Sequence, residues 1–77
     1  MRREDIEEYA RREFPHVAGV RRCGTLDGEE AWAPTWGDLR PALGLPLFIM
    51  VRGESIRTTS GEEGLAILHR LNEQRRT

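Results

Sequence analysis

One segment, Leu47 to Val51, is apolar at every position and lies between Pro46 and the pair Arg52-Gly53. A β-strand with one face in water alternates apolar and polar side chains, whereas a strand covered on both faces is apolar throughout. The segment therefore predicts a strand that is buried on both faces. A chain of 77 residues has little material with which to cover two faces of a sheet, so we expect one cover to come from a partner.

The length and the cysteine content predict a single small domain, residues 1–77, with a thin margin of stability. A domain of this size buries only roughly 60% of the surface that its unfolded chain exposes, and oligomerisation is a common remedy. Cys23 is the only cysteine, so no internal disulfide is possible. A lone thiol, together with acidic residues where a signal peptide would carry its apolar core, favours a cytoplasmic location.

The charge is balanced, with a net value of -1 and 32% charged residues, and every basic side chain is an arginine. A dedicated nucleic-acid-binding domain is usually basic overall, so this balance argues against that class. The longest unbroken apolar run has five residues, far short of a membrane span. We therefore expect no membrane partner.

Apolar spacing predicts a helix over residues 4–14, which Pro15 ends because it disfavours helical geometry at the residue before it. A strand is predicted over 17–26, and Asp27-Gly28 then favours a two-residue hairpin turn. In that hairpin Cys23 lies opposite Trp32. The returning strand, 29–36, contains Pro34, which favours an edge position or a bulge because it lacks a backbone donor.

In the second half, Asp38 is a candidate cap for a single helical turn within the connection 37–46. The apolar strand 47–51 follows, and a loop at Arg52-Gly53 predicts that Ile49 pairs with Ile56 in the strand 54–58. The last helix begins at Ser60, where a capping-box spacing is present, and runs toward Asn72; residues 73–77 are expected to be a frayed tail.

These elements predict an α+β domain of order α-β-β-β-β-α, with two hairpins in one four-stranded antiparallel sheet. We expect the N- and C-terminal helices to pack on the same face of that sheet. The order of the strands is not predicted by the pattern. The apolar residues expected to meet between the helices and the sheet are Ile6, Tyr9, Phe14, Leu65, Leu68, Leu71, Ile49, Ile56 and Val20.

No spacing predicts a catalytic, cofactor or metal site, and we expect a protein that is not an enzyme. His16 and His69 are far apart in the sequence and no ligand motif joins them to Cys23. A thiol enzyme built on Cys23 is the least favoured alternative, since a nucleophile needs a base within hydrogen-bond reach. The stretch Thr58 to Gly61 before the last helix could bind an anion at the helix N-terminus, but we expect an ordinary helix cap, because two glutamates follow it and would repel an anion.

Two functions are predicted by different residues. The first is a protein-interaction module that self-associates as a homodimer, or binds another protein, through the sheet face that the helices leave open; its candidate residues are Trp32, Trp36, Phe48 and Met50. For the two tryptophans, core packing is an equally good interpretation. The alternative is a small nucleic-acid-binding domain that uses Arg21, Arg22 and Arg57 with an exposed tryptophan.

Overall fold

A computed structural model describes residues 1–35, 47–59 and 61–75 of the chain. The predicted fold class and element order are confirmed: one helix, four antiparallel strands in one sheet, and a second helix. The strands follow one another in the sheet in the order β1-β2-β3-β4, so β1 and β4 form its two edges. The elements are α1 (Arg3–Glu13), β1 (Gly19–Leu26), β2 (Glu29–Thr35), β3 (Ile49–Arg52), β4 (Ser55–Thr58) and α2 (Gly61–Arg75).

The first helix is stabilised at its start by Asp5, whose carboxylate accepts the backbone N–H of Arg2 at 3.1 Å. Such a bond satisfies one of the donors that a helix leaves unpaired at its N-terminus. Ile6 and Ala10 are completely buried, as their spacing of four residues on one helical face predicts. The helix ends at Glu13, immediately before Phe14 and Pro15, which confirms the predicted stop.

The first hairpin has the predicted two-residue turn, with Asp27 at φ 52° and Gly28 at φ 83°. Positive values at both positions are what this kind of turn requires. The predicted pairing of Cys23 with Trp32 is wrong: a β-bulge lies between Arg22 and Gly24, and Arg22 is the partner of Trp32. The bulge adds one residue to β1, so Cys23 has no partner of its own.

Pro34 is predicted at an edge or at a bulge, but it lies in a strand that has neighbours on both sides, and the bulge of this hairpin is at Arg22 to Gly24 of β1. Pro34 pairs with Val20 of β1, but the ladder between β2 and β3 covers only Glu30 to Trp32. Proline is therefore placed beyond the last β2–β3 pair, where β2 needs no backbone donor toward β3.

The second hairpin turns at Gly53-Glu54 rather than at Arg52-Gly53. Gly53 adopts φ 57°, and Ile49 pairs with Thr58 while Val51 pairs with Ile56. The predicted pairing of Ile49 with Ile56 is thus shifted by two residues. A shift of two leaves each side chain on its predicted face, because side chains alternate with a period of two.

The two helices lie on opposite faces of the sheet, so the prediction that they share a face is wrong. Buried side chains form two separate clusters, and each cluster contains one helix. Alternation along β3 explains the separation, since odd-numbered side chains point to one face and even-numbered ones to the other. The α1 cluster contains Ile6, Ala10, Val20, Trp32, Ile49 and Val51, and the α2 cluster contains Leu26, Ala31, Phe48, Met50, Ile67 and Leu71.

The strand that is apolar throughout is covered on both faces, as its sequence predicts, but both covers belong to the same chain. Ile49 is completely buried under α1, and Met50 is 2% exposed under α2. The reason for expecting a partner over this strand is therefore removed. A single helix on each side is sufficient because β3 has only four residues.

The second helix continues to Arg75, past the predicted end at Asn72. The apolar spacing predicts Leu65 on the buried face of this helix, but Leu65 is 41% exposed, whereas Ile67 and Leu71 are buried. The predictions for Trp36, for the helical turn at Asp38, for the Ser60 cap and for residues 76–77 lie outside the described residues.

Candidate interaction surface

Three of the four predicted interface residues are in the interior of the protein. Phe48 is 5% exposed and Met50 is 2% exposed, both beneath α2. Trp32 is 7% exposed beneath α1. The sheet face on which we expected a partner is occupied by α2, so these side chains serve core packing. Trp36, the fourth candidate, is not among the described residues.

Trp32 is held from two sides. Its indole N–H donates to Glu30 Oε1 at 3.3 Å, and the guanidinium carbon of Arg3 lies 5.9 Å from the ring centroid. That distance is within the range of a cation–π interaction. The tryptophan therefore links β2 to the start of α1.

The arginines of the nucleic-acid alternative are not brought together. Arg21 and Arg22 are on β1 and Arg57 is on β4, the opposite edge of the sheet. Arg22 lies 3.7 Å from Glu30 and donates to Thr25 Oγ1 at 2.8 Å. These three side chains do not form a continuous basic surface, and the structure gives this alternative no support.

Arg57 is the centre of an ion-pair network on the α2 side of the sheet. Its guanidinium lies 2.8 Å from Glu63 of α2 and 3.2 Å from Glu29 of β2. Hydrogen bonds to Glu63 and then to Glu29 raise the pKa of Arg57 above its ordinary value. The network therefore joins both hairpins to α2 and leaves Arg57 with its charge compensated.

A second ion pair lies on the α2 side of the sheet. Arg70 of α2 lies 2.8 Å from the Asp27 carboxylate in the first turn, and the hydrogen bond from Arg70 lowers the pKa of Asp27. Between the two pairs lies a cleft of about 150 Å³, lined in part by Leu26, Met50 and Ile67. Each charged group in the lining pairs with another, and because Arg57 is shared by two carboxylates the cleft carries an excess of one negative charge.

The side chains considered as a nucleophile or as metal ligands, Cys23, His16 and His69, lie in different parts of the fold. Cys23 is half-buried, with its Sγ 3.6 Å from the carbonyl oxygen of Arg21. His16 and His69 are both exposed. Within residues 1–35, 47–59 and 61–75, no three His, Cys, Asp or Glu side chains are grouped so that they could hold a metal ion.

Thr59, in the stretch before α2, has a structural role that the sequence did not indicate. It is 6% exposed, and its hydroxyl accepts the backbone N–H of Phe48 at 3.1 Å. Its own N–H donates to the carbonyl oxygen of Phe48 at 3.0 Å. The hydroxyl thus replaces a backbone acceptor at the end of the β3–β4 ladder.

The two edges of the sheet differ in how their backbone is covered. On β1, the guanidinium of Arg3 donates to the carbonyl oxygen of Val20 at 2.7 Å. The side-chain amide of Gln74 donates to the backbone carbonyl oxygen of Thr25 at 3.1 Å. Both helices therefore satisfy carbonyl groups of β1, and the bulge at Cys23 interrupts the same edge. Proteins protect sheet edges with such devices because an open edge pairs with other chains.

The β4 edge has no comparable cover from the described part of the chain. The Thr59-to-Phe48 bond shows that this pair is hydrogen-bonded, and bonded and non-bonded pairs alternate in an antiparallel ladder. Ile56 and Thr58 therefore direct their backbone N–H and C=O groups away from β3. Sequence reasoning missed this edge because the order of the strands could not be predicted.

Searches for similar proteins identify no related family: no family model, curated protein or solved structure matches the chain. Neither of the two described helices is long and apolar enough to cross a membrane.

Proposed function

We propose that this protein is a non-catalytic protein-interaction module that binds an extended segment of a partner along the β4 edge. The observation that carries this proposal is the difference between the two edges. Side chains of α1 and α2 cover carbonyl groups of β1, while Ile56 and Thr58 of β4 keep backbone groups directed outward. Addition of a strand to an exposed edge is a common mode of peptide recognition.

The surroundings of β4 define which segments fit. On the α1 side lie Ile56 and Tyr9, both half-buried, with the Tyr9 hydroxyl 2.9 Å from Thr58 Oγ1. On the α2 side lies Arg57, which is paired with the carboxylates of both Glu29 and Glu63. A bound strand would place alternate side chains against these two sides. Apolar side chains suit the first side and polar side chains suit the second.

The proposed binding is weak. Ile56 and Thr58 together offer two N–H donors and two C=O acceptors, and each such bond contributes a net ~0.5–1.5 kcal/mol. Association itself costs at least about 4 kcal/mol in lost rigid-body freedom. Side-chain contacts with Ile56 and Tyr9 must therefore supply much of the affinity.

Titration of the ¹⁵N-labelled protein, kept dilute, with a capped synthetic peptide of alternating valine and threonine tests the proposal. We expect the largest amide shifts at Ile56 and Thr58, and smaller ones at Val20 and Thr25 of the covered edge. A peptide of the same length with proline at alternate positions is the control, since it lacks the donors that strand pairing needs. Shifts confined to β1, or none at millimolar peptide, would contradict the proposal.

Two variants of the protein test the role of the outward backbone groups in the same experiment. Ile56→Pro removes a backbone donor that points away from β3, so the β3–β4 ladder is retained. We expect this variant to fold and to lose the peptide-induced shift at Thr58. Arg57→Pro is the contrasting variant, because the N–H of Arg57 belongs to a bonded pair with Met50, and we expect it to destabilise the fold itself.

A further inference from the structure

We propose that the segment bound along the β4 edge is basic and carries a lysine or an arginine at the position opposite Arg57. This inference rests on the proposed function of that edge and names the chemical class of the partner. The charged groups around β4 are mostly carboxylates, and interacting protein surfaces are complementary in charge.

Strand pairing determines where the basic side chain lies. In an antiparallel ladder, two residues of the segment bond to Ile56 and Thr58, whose backbone groups point outward. The residue between them lies opposite Arg57 in a non-bonded pair, with Cα atoms about 4.5 Å apart. Its side chain is then on the α2 side of the sheet, as is that of Arg57. This pairing needs no residue beyond the two ends of β4, Ser55 and Thr58.

Arg57 does not oppose a basic neighbour, because two carboxylates compensate its charge. Its guanidinium lies 3.2 Å from Glu29 and 2.8 Å from Glu63. Glu29 is on β2, two strands inward from β4, so the Arg57 side chain extends across β3 and away from the edge. One positive and two negative groups leave one negative charge beside the position of the segment's basic residue.

Acidic side chains also lie at both ends of β4. Glu54 is in the turn before the strand, Glu62 is in the first turn of α2 after it, and both are exposed. The N-terminus of α2 contributes only about half a positive charge. Arg52, the other basic residue of this hairpin, donates to the carbonyl oxygen of Asp27 at 2.7 Å, which directs its charge toward the first hairpin. The surroundings of β4 are therefore acidic.

A series of short capped peptides tests the charge of the partner. Each peptide alternates valine and threonine, and the central threonine is replaced by lysine, glutamine or glutamate. Binding is followed through the amide shifts of Ile56 and Thr58 in the ¹⁵N-labelled protein. We expect the lysine peptide to bind about threefold to tenfold more tightly than the glutamate peptide, as for exposed charge pairs, with glutamine between them. Equal affinities, or tighter binding of the glutamate peptide, would overturn the basic partner.

Salt shows whether charge causes the preference. We expect the advantage of lysine to disappear when the ionic strength is raised from about 10 mM to about 1 M, because the Debye length falls from about 30 Å to about 3 Å. An advantage that persists at high salt would contradict charge complementarity as its cause.

Two variants of α2 locate the charge that lysine detects. Glu63→Gln removes one of the two carboxylates of Arg57 and keeps a hydrogen-bond acceptor, and we expect it to reduce the advantage of lysine over glutamate. Glu73→Gln is the matched control, since it removes the same charge from the same helix about 15 Å further along. Equal effects of the two variants would overturn the placement of the basic side chain beside Arg57.

The peptide with threonine at its centre separates this inference from the proposed function. If that peptide binds at β4 and lysine gives no gain, the basic partner is excluded and the proposed function stands. If neither that peptide nor the lysine peptide shifts Ile56 and Thr58, both fall.

Discussion

Gly24 and Leu71 are so close that a Cβ atom on Gly24 would lie 2.9 Å from Leu71 Cδ2. Gly24 follows the bulge in β1, and Leu71 is a buried residue of α2. The absence of a side chain at position 24 therefore determines how closely α2 approaches the first hairpin. Interiors are packed to crystal-like density, so an added methyl group here has to displace its neighbours.

The first prediction is that Gly24→Ala destabilises the protein by about 1–3 kcal/mol, the usual cost of overpacking. Gly19→Ala is the matched control, because its Cβ would meet only ordinary contacts, the nearest being Thr35 Oγ1 at 3.6 Å. We expect that control to be nearly neutral. Urea unfolding followed by circular dichroism measures both, and equal losses in the two variants would show that the Leu71 contact does not limit packing.

The second prediction concerns Thr59. Thr59→Val removes the hydroxyl that accepts the Phe48 N–H and leaves that buried donor without its acceptor. An unsatisfied buried donor costs about 1–3 kcal/mol, so we expect the free energy of unfolding to fall by this amount. Thr59→Ser keeps the hydroxyl and should retain most of the stability. Equal stabilities of the valine and serine variants would refute the role given to this side chain.

The third prediction separates a core residue from an interface residue. If Phe48 and Met50 formed an open interface, a glutamate at either position would give a folded monomer. Since both are buried under α2, we expect Phe48→Glu and Met50→Glu to prevent folding, because an unpaired charge cannot be buried without a penalty of several kcal/mol. Leu65→Glu, at a 41% exposed position of α2, is the control and should fold; amide spectra distinguish these outcomes.

The fourth prediction is a pH effect at the first turn. Arg70 lowers the pKa of Asp27 through its hydrogen bond and its charge, so the folded state favours the carboxylate. The stability from this pair is then present above the unfolded-state pKa and lost as the pH falls through the lowered one. The contribution is small and sensitive to salt, because the Asp27 side chain is 72% exposed.

Carboxyl-detected NMR titration checks that effect directly. We expect Arg70→Met to raise the pKa of Asp27 toward its ordinary value. Arg75→Met removes the same charge from the same helix, at a residue that does not pair with Asp27, and should leave the titration close to that of the wild type. An unchanged pKa in the Arg70 variant would contradict the assignment of the shift to this contact.

Local chemistry predicted the elements of the fold well. Pro15 stops α1, and Asp27-Gly28 supplies the two positive φ angles of the first turn. The sequence predicts the position of the second turn less well, because Gly53 can serve as either the first or the second residue of a two-residue loop. Its φ of 57° fits both choices. No local signal in the sequence indicated the bulge at Cys23.

Long-range relationships could not be predicted in the same way. The all-apolar strand correctly indicates two covered faces, but the pattern does not say which element covers each face. The pattern therefore predicts an interface at Phe48 and Met50, although α2 lies over them. The β4 edge depends on strand order and on two side-chain bonds to β1, from Arg3 and Gln74, and no pattern in the sequence specifies these.

The placement of α2 on its own side of the sheet has a consequence for how the protein is made. All four strands and α1 are synthesised before Ile67 and Leu71, which cover Phe48 and Met50. Until those residues are synthesised, Phe48 and Met50 have no helix to cover them. A nascent chain paused before α2 therefore presents the very surface that the finished protein conceals.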